Sequence, residues 1–215
     1  MRKIQFVNNH FYHVFNRGVD KREIFTDKED LLRFFQCMDE FNVVEPIGSL
    51  YANSFKLSGS AAKSAIGSKK LVNFVAYCLN PNHYHFILEQ LVDRGIEKFM
   101  HRLGGGHTWY FNYKNKRSGS LFQGRYKAIH VDSNEYLLHL GIYVNLNDKV
   151  HQLSGSAAKL TKSSWDEYLK GDKDGFCRKD IILGQFNNVL EYKNFAESSL
   201  GDIQERKELK KLILE

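Results

Sequence analysis

Two histidines, His83 and His85, stand two residues apart in NPNHYHFILEQ and lead straight into an apolar run. Residues i and i+2 of a strand project to one face with Cα atoms about 6.5–7 Å apart. Both imidazoles can therefore converge on one metal ion, and Glu89 lies on the same face two steps further on. Taken alone, such a pair is a weak signal, because most pairs of this kind hold no metal. A second group is Tyr143 and Asn147 in YLLHLGIYVNLN. On a helix these side chains are neighbours, with His139 one turn earlier. A packed aromatic is the commoner fate of such a tyrosine. A free tyrosine has a pKa of about 10 and is a poor nucleophile near neutral pH. A divalent cation that polarises a phosphate changes that balance. A tyrosine beside a carboxamide, in a chain that also carries a histidine pair, fits phosphoryl transfer.

A third group is the stretch HTWYFNYKNKRSGSLFQGRYK, in which Trp109, Tyr110 and Tyr113 are interleaved with Lys114, Lys116, Arg117, Arg125 and Lys127. Aromatic faces stack on unpaired bases while cations follow phosphates. Tyr110 and Phe111 also suit a core face, which leaves the Lys114 to Arg117 cluster as the better phosphate contact. The whole chain points the same way. Its 215 residues carry a net charge of +6 and a pI of about 9.1, a balance suited to a polyanion more than to an acidic small molecule. Three cysteines without CxxC spacing argue against a disulfide framework, and Cys37 and Cys78 sit in apolar runs as small hydrophobes. The start MRKIQFVNNH has no signal-peptide core, and no apolar run is long enough for a membrane span. The expectation is a cytoplasmic, nucleoid-associated protein with no membrane partner and no small-molecule substrate.

These side chains need a scaffold. FYHVFNR (11–17) alternates as a strand. TDKEDLLRFFQCMDEF follows as a helix, with Thr26 and Glu29 as its capping box. The stretch 45–69 is small, polar and aperiodic, and reads as an inserted flexible loop. LVNFVAYCLN and HYHFILEQ are two strands joined at Asn80-Pro81-Asn82. A helix then runs from Arg94 to about Tyr113 across Gly104, Gly105 and Gly106, at a cost of about 1 kcal/mol per glycine relative to alanine. Either the helix breaks there or something packs closely on that backbone. A strand through YKAIHV and a helix from DSNEYLL complete the core, with Asp132 and Glu135 as cap and partner. The domain expectation is a catalytic unit over 1–150, then a linker and small helical extension over 151–215. Strand, helix, strand, strand, helix, strand, helix suggests an α+β, ferredoxin-like antiparallel sheet with helices mainly on one face. LSGSAAK occurs twice, at 57–63 and 153–159, both in segments read as loops. The repeat is either chance reuse of small residues or the trace of one mobile DNA element inserted twice.

The combination YHVFNRG, AYCLNPNHYHFILE, GSLFQGRYKAIHVDSNEYLL and IYVNLN resembles the REP-associated tyrosine transposases, relatives of the single-tyrosine HUH transposases of bacterial insertion sequences. The resemblance runs from about Tyr12 to Gly171. It implies an HUH-nuclease fold, a Mg²⁺ or Mn²⁺ ion, and cleavage and rejoining of single-stranded DNA beside a hairpin through a 5′-phosphotyrosine. On these motifs His83, His85 and Asn147 are the implied metal ligands and Tyr143 the implied nucleophile. Tyr84, between the histidines, fills a hydrophobic slot and is expected to face away. Arg102, Lys114, Lys116, Arg117, Arg125 and Lys127 are the expected DNA contacts, in a monomer or homodimer. Three departures stand out: Asp148 where the family has proline, the three glycines in a stretch that is normally helical, and the 45–69 insertion. The alternatives are a domesticated binder of hairpin DNA that does not cut, a metal-dependent hydrolase that uses water, and a structural zinc site.

Overall fold

The computed structural model describes residues 4–48, 69–170 and 175–213. Most of the expected insertion, and the first LSGSAAK copy with it, lies outside the described residues.

Five strands form one antiparallel sheet: β1 (Phe11–Arg17), β2 (Val72–Asn80), β3 (His83–Gln90), β4 (Lys127–Val131) and the short β5 (Lys162–Ser163). Their order is β4-β1-β3-β2-β5. The first four strands reproduce the split βαβ arrangement of a ferredoxin-like fold. Helix α1 (Lys28–Glu40) links β1 to β2, and α2 (Gly95–Lys114) links β3 to β4. Both cover one face, where Phe34, Met38, Phe99 and Leu103 meet Val14, Phe74, Phe86 and Leu88.

The second face is covered too. Helix α3 (Asn134–Asn145) follows β4 and packs Leu140, Ile142 and Val144 with Val75, Cys78 and Ile87. The helices are thus shared between both faces instead of lying mainly on one. The cause is visible in β3, where Tyr84, Phe86 and Leu88 face α1 and α2 while His85 and Ile87 face α3. A strand apolar on both sides needs two covers.

Residues after 150 build this second core. The short helices α4 (Asn147–Val150) and α5 (Gly155–Lys159) precede β5. Helices α6 (Trp165–Lys170), α7 (Asp180–Leu183) and α8 (Val189–Ile213) supply Trp165, Tyr168, Ile182, Tyr192 and Ala196. The second LSGSAAK copy is therefore partly helical, not a loop, and KELKK continues α8.

Local expectations shift in small ways. Asp27 caps α1, accepting from the Asp30 N–H at 2.9 Å, and the Asp30 carboxylate accepts from the Thr26 backbone and hydroxyl. The expected Thr26–Glu29 box is thus displaced by one residue. Ser133, not Asp132, caps α3 through the Tyr136 N–H. In both cases the residue next to the chosen one has the extended backbone that a cap needs. Helix α2 runs unbroken through its glycines. A Cβ on Gly106 would stand 2.8 Å from the Phe41 ring, so this glycine admits the end of α1.

Candidate active site: a histidine cluster under a tyrosine

Strand alternation places His83 and His85 on the α3 side of the sheet, with Tyr84 buried on the other side as expected. The antiparallel register sets Phe15 opposite His85 and Arg17 opposite His83. The two histidine rings lie 5.3 Å apart, nearly perpendicular. Tyr143, on the sheet-facing side of α3, sets its ring nearly perpendicular to those of His85 at 5.5 Å and His13 at 6.4 Å. Phe15, Arg17, His83, His85, Lys127 and Tyr143 line one cleft of about 310 Å³.

Asn147 stands beside Tyr143 as its spacing predicts, and a local break also brings it to His83. Helix α3 ends at Leu146, where φ is −110° and ψ is 21°, and Asn147 opens α4. The break turns the carboxamide toward β3. Its Oδ1 accepts from Asn80 Nδ2 at 2.7 Å and lies 3.2 Å from His83 Nε2. Asn80 Nδ2 also lies 3.0 Å from His83 Nε2, and Asn82 Oδ1 lies 2.6 Å from His83 Nδ1. Asp148, in the place of proline, leaves a helical turn running on after the break.

Burial sets the charge state of the cluster. It pushes the His85 pKa well below its ordinary value, with the neighbouring His13, His83 and His151 acting in the same direction. Burial alone takes His13 down to about 4. Both rings are therefore neutral near pH 7, and a neutral imidazole is the form that ligates metals. Burial raises the Tyr143 phenol above its usual range, and the neighbouring Asn147 carboxamide opposes that rise.

His13, Asn80 and His151 complete the cluster, and sequence reasoning did not single them out as site residues. His13 Nε2 lies 2.9 Å from His85 Nδ1, and the His151 ring is 5.0 Å from that of His83. The alternation of FYHVFNR put His13 on the face opposite Val14. Only the β1–β3 pairing shows that this face is the one carrying His85. Glu89 and His139 are not brought in. Glu89 is bound by Arg178 and Asn73, and His139 packs on Phe195. Among the described residues, no three His, Cys, Asp or Glu side chains are placed to hold a metal ion. The donor set at the cleft is two imidazoles and a carboxamide.

The expected DNA contacts divide. Arg102 donates to the carbonyls of Phe41, Val43 and Val44. Lys114 bridges Asp27, Glu29 and Asp30. Both are tied into the fold. Arg117 bonds Asn112 and the Ser120 carbonyl. Lys116, Arg125 and Lys127 are exposed, and Lys127 lines the cleft itself.

A ferredoxin-like sheet with paired histidines beneath a helix-borne tyrosine defines the class of the site. Residues 55–147 match the family model of the IS200-like transposases. The matched stretch contains His83, His85, Tyr143 and Asn147. The match opens at Phe55, inside the stretch read as an insertion, and leaves β1 and α1 outside it. A solved structure of a REP-associated tyrosine transposase bound to a REP hairpin is 10% identical, with a TM-score of 0.48. That similarity covers 79% of this chain and 85% of the other. No curated protein sequence matches the chain.

Proposed function

We propose that the protein is a transposase that cleaves and rejoins single-stranded DNA at this cleft, with Tyr143 as nucleophile. The observation that carries the reading is the position of Tyr143. Its ring stands perpendicular to that of His85 at 5.5 Å, in one cleft with His83, inside the segment that matches the transposase family model.

Side chains at the cleft support this reading. Arg17 and Lys127 line the cleft and can neutralise a bound phosphate. The Tyr143 oxygen attacks phosphorus and the bond from phosphorus to the 3′ oxygen breaks. The phenol proton passes to solvent, and the departing 3′ oxygen gains one from solvent. The products are a 5′-phosphotyrosine and a free 3′ hydroxyl, and the reverse step rejoins strands. The Asn147 amide nitrogen is buried without a hydrogen-bond partner, and turned to the phenolate it would counter the burial that holds Tyr143 protonated.

The residues also fit a divalent ion. His83 Nε2 and Asn147 Oδ1 lie 3.2 Å apart, close to the separation of about 3 Å between adjacent ligands of six-coordinate Mg²⁺. His85 is held neutral by its burial. These three residues would hold Mg²⁺ or Mn²⁺, which when bound supplies charge neutralisation at the phosphate.

The test is adduct formation. Incubation with a labelled hairpin bearing a single-stranded flank and Mn²⁺ yields a protein–DNA species that survives boiling in detergent. Tyr143→Phe abolishes it, while Tyr84→Phe and Tyr136→Phe keep it. Cleavage without any adduct would place the protein among hydrolases. Tight binding with neither cleavage nor adduct would make it a non-cleaving binder.

A further inference from the structure

The outer face of α2 carries aromatic rings at four-residue spacing with one position vacant. His101, Gly105, Trp109 and Tyr113 are all exposed, and residues four apart on a helix are neighbours. Trp109 and Tyr113 stack face to face, with centroids 5.5 Å apart and planes within 8°. They are 67% and 77% exposed, so this stack covers no core. The other neighbour of Trp109 in the series is Gly105, where an added Cβ would meet nothing within 4 Å. The eight residues from His101 to Trp109 rise about 12 Å along the helix. One base between two rings needs only about 7 Å at the 3.4 Å rise of a DNA strand, so the His101 and Trp109 side chains must lean toward Gly105 by about 5 Å in all to close on a single base.

The vacant position opens into a groove of about 800 Å³, with Lys98 and His101 on the helix side and Arg125 and Tyr126 across from them. Glu97 is the acid in the wall, and Arg94 occupies it at 2.7 Å. Lys98 and Arg125 are exposed. Asn16, which donates to the Gly124 carbonyl, lines both this groove and the Tyr143 cleft. The two are therefore adjoining parts of one surface. An exposed indole stacked on a tyrosine, with cations on both sides, is the arrangement that holds unpaired bases.

We propose that the Gly105 gap is an intercalation slot for one unpaired base of the DNA strand, clamped between His101 and Trp109. Lys98 and Arg125 take the flanking phosphates, and the strand continues past Asn16 to the cleft. The identity of the ligand as DNA rests on the proposed function, but the slot is tested separately.

The probe is an oligothymidylate of about ten nucleotides, within the usual site size for single-strand binding surfaces. Trp109 and Trp165 are the two tryptophans, and Trp165 belongs to the second core. Quenching of indole emission on binding therefore reports on Trp109. Gly105→Leu fills the slot while improving helix propensity. It is expected to lose most of the quench and to bind about tenfold more weakly, with unchanged or raised thermal stability. Trp109→Ala is expected to weaken binding similarly and covers the case in which Gly105→Leu fails to fold. Wild-type affinity in either folded variant overturns the slot. A Tyr143 adduct without Trp109 quenching overturns the slot and leaves the proposed function standing. Quenching that is lost in Gly105→Leu, with no adduct in the wild type, does the reverse.

Discussion

His13 Nε2 sits 2.9 Å from His85 Nδ1, between two adjacent strands and largely buried. One nitrogen of this pair must carry the proton and the other the lone pair. If His85 donates, its Nε2 turns a lone pair to the cleft, which is the tautomer a metal ligand requires. His13 then acts as the acceptor that fixes His85. His13→Leu is expected to weaken Mn²⁺ binding by about ten- to a hundredfold, read by electron paramagnetic resonance of the free ion. His13→Gln keeps an acceptor and should recover part of the affinity. Unchanged affinity in His13→Leu would mean that the tautomer is set elsewhere.

Acid should destabilise the fold over a defined window. Burial holds His13 and His107 down to about 4 and His85 well below its ordinary value of 6.5. Above pH 6.5 these rings are neutral in both folded and unfolded chains, and pH has little effect through them. Between 6.5 and about 4 the unfolded chain binds protons that the folded chain refuses. Stability therefore falls as pH falls, by up to about 1.4 kcal/mol per unit for each ring. Urea midpoints measured at intervals from pH 7.5 to 4.5 test this, and a flat curve between 6.5 and 5 would refute it.

Much of this site is legible in the chain because strand and helix periods assign faces locally. HYH shows that His83 and His85 share a side and that Tyr84 does not. What the periods cannot show is which strands become neighbours. His13 was therefore invisible as a site residue until the β1–β3 register paired its face with His85. Asn147 was found for an incomplete reason. Its spacing suggested one continuous helix, whereas the break at Leu146 is what turns it to His83. Charge misled in the other direction. Lys114 and Arg102 look like solvent-facing cations, and only tertiary contacts reveal the carboxylates and carbonyls that claim them. The second core was missed because its apolar residues come from both sides of position 150, from α3 and the sheet as well as from α6, α7 and α8, and only tertiary packing joins them.

The helix that bears Tyr143 is anchored two residues further along. Asn145 is fully buried, and its amide donates to the Tyr192 hydroxyl at 3.0 Å while its oxygen accepts from Ser164. Tyr192→Phe removes the acceptor and strands the amide in the core. The expected loss is about 1–3 kcal/mol of stability, measured by urea denaturation. Since α3 also carries Tyr143, adduct formation should slow in the same variant at temperatures where it remains folded. Full stability in Tyr192→Phe would show that water or another group satisfies the amide.

Two cations two residues apart should behave in opposite ways. Lys114 Nζ lies 2.7 Å from both Asp27 and Asp30, and the Asp30 side chain has no solvent exposure. Lys114→Ala leaves that carboxylate buried without its cation. Fully buried pairs broken in this way cost about 3–5 kcal/mol. The Lys114 side chain is 25% exposed and Asp27 49%, so solvent screening brings the expected loss to about 1–3 kcal/mol. DNA affinity of the folded variant at fixed salt should stay close to wild type. Lys116 is exposed at the end of α2, and Arg125 is exposed on the groove wall. Lys116→Ala with Arg125→Ala should leave stability within about 0.5 kcal/mol of wild type. It should weaken binding to every single-stranded sequence and flatten the salt dependence by up to about two counterions. Thermal melts and binding isotherms at several salt concentrations separate the two. A salt slope that changes in Lys114→Ala but not in the double variant would invert the assignment and place the phosphate track along the Asp27–Lys114 side of α2.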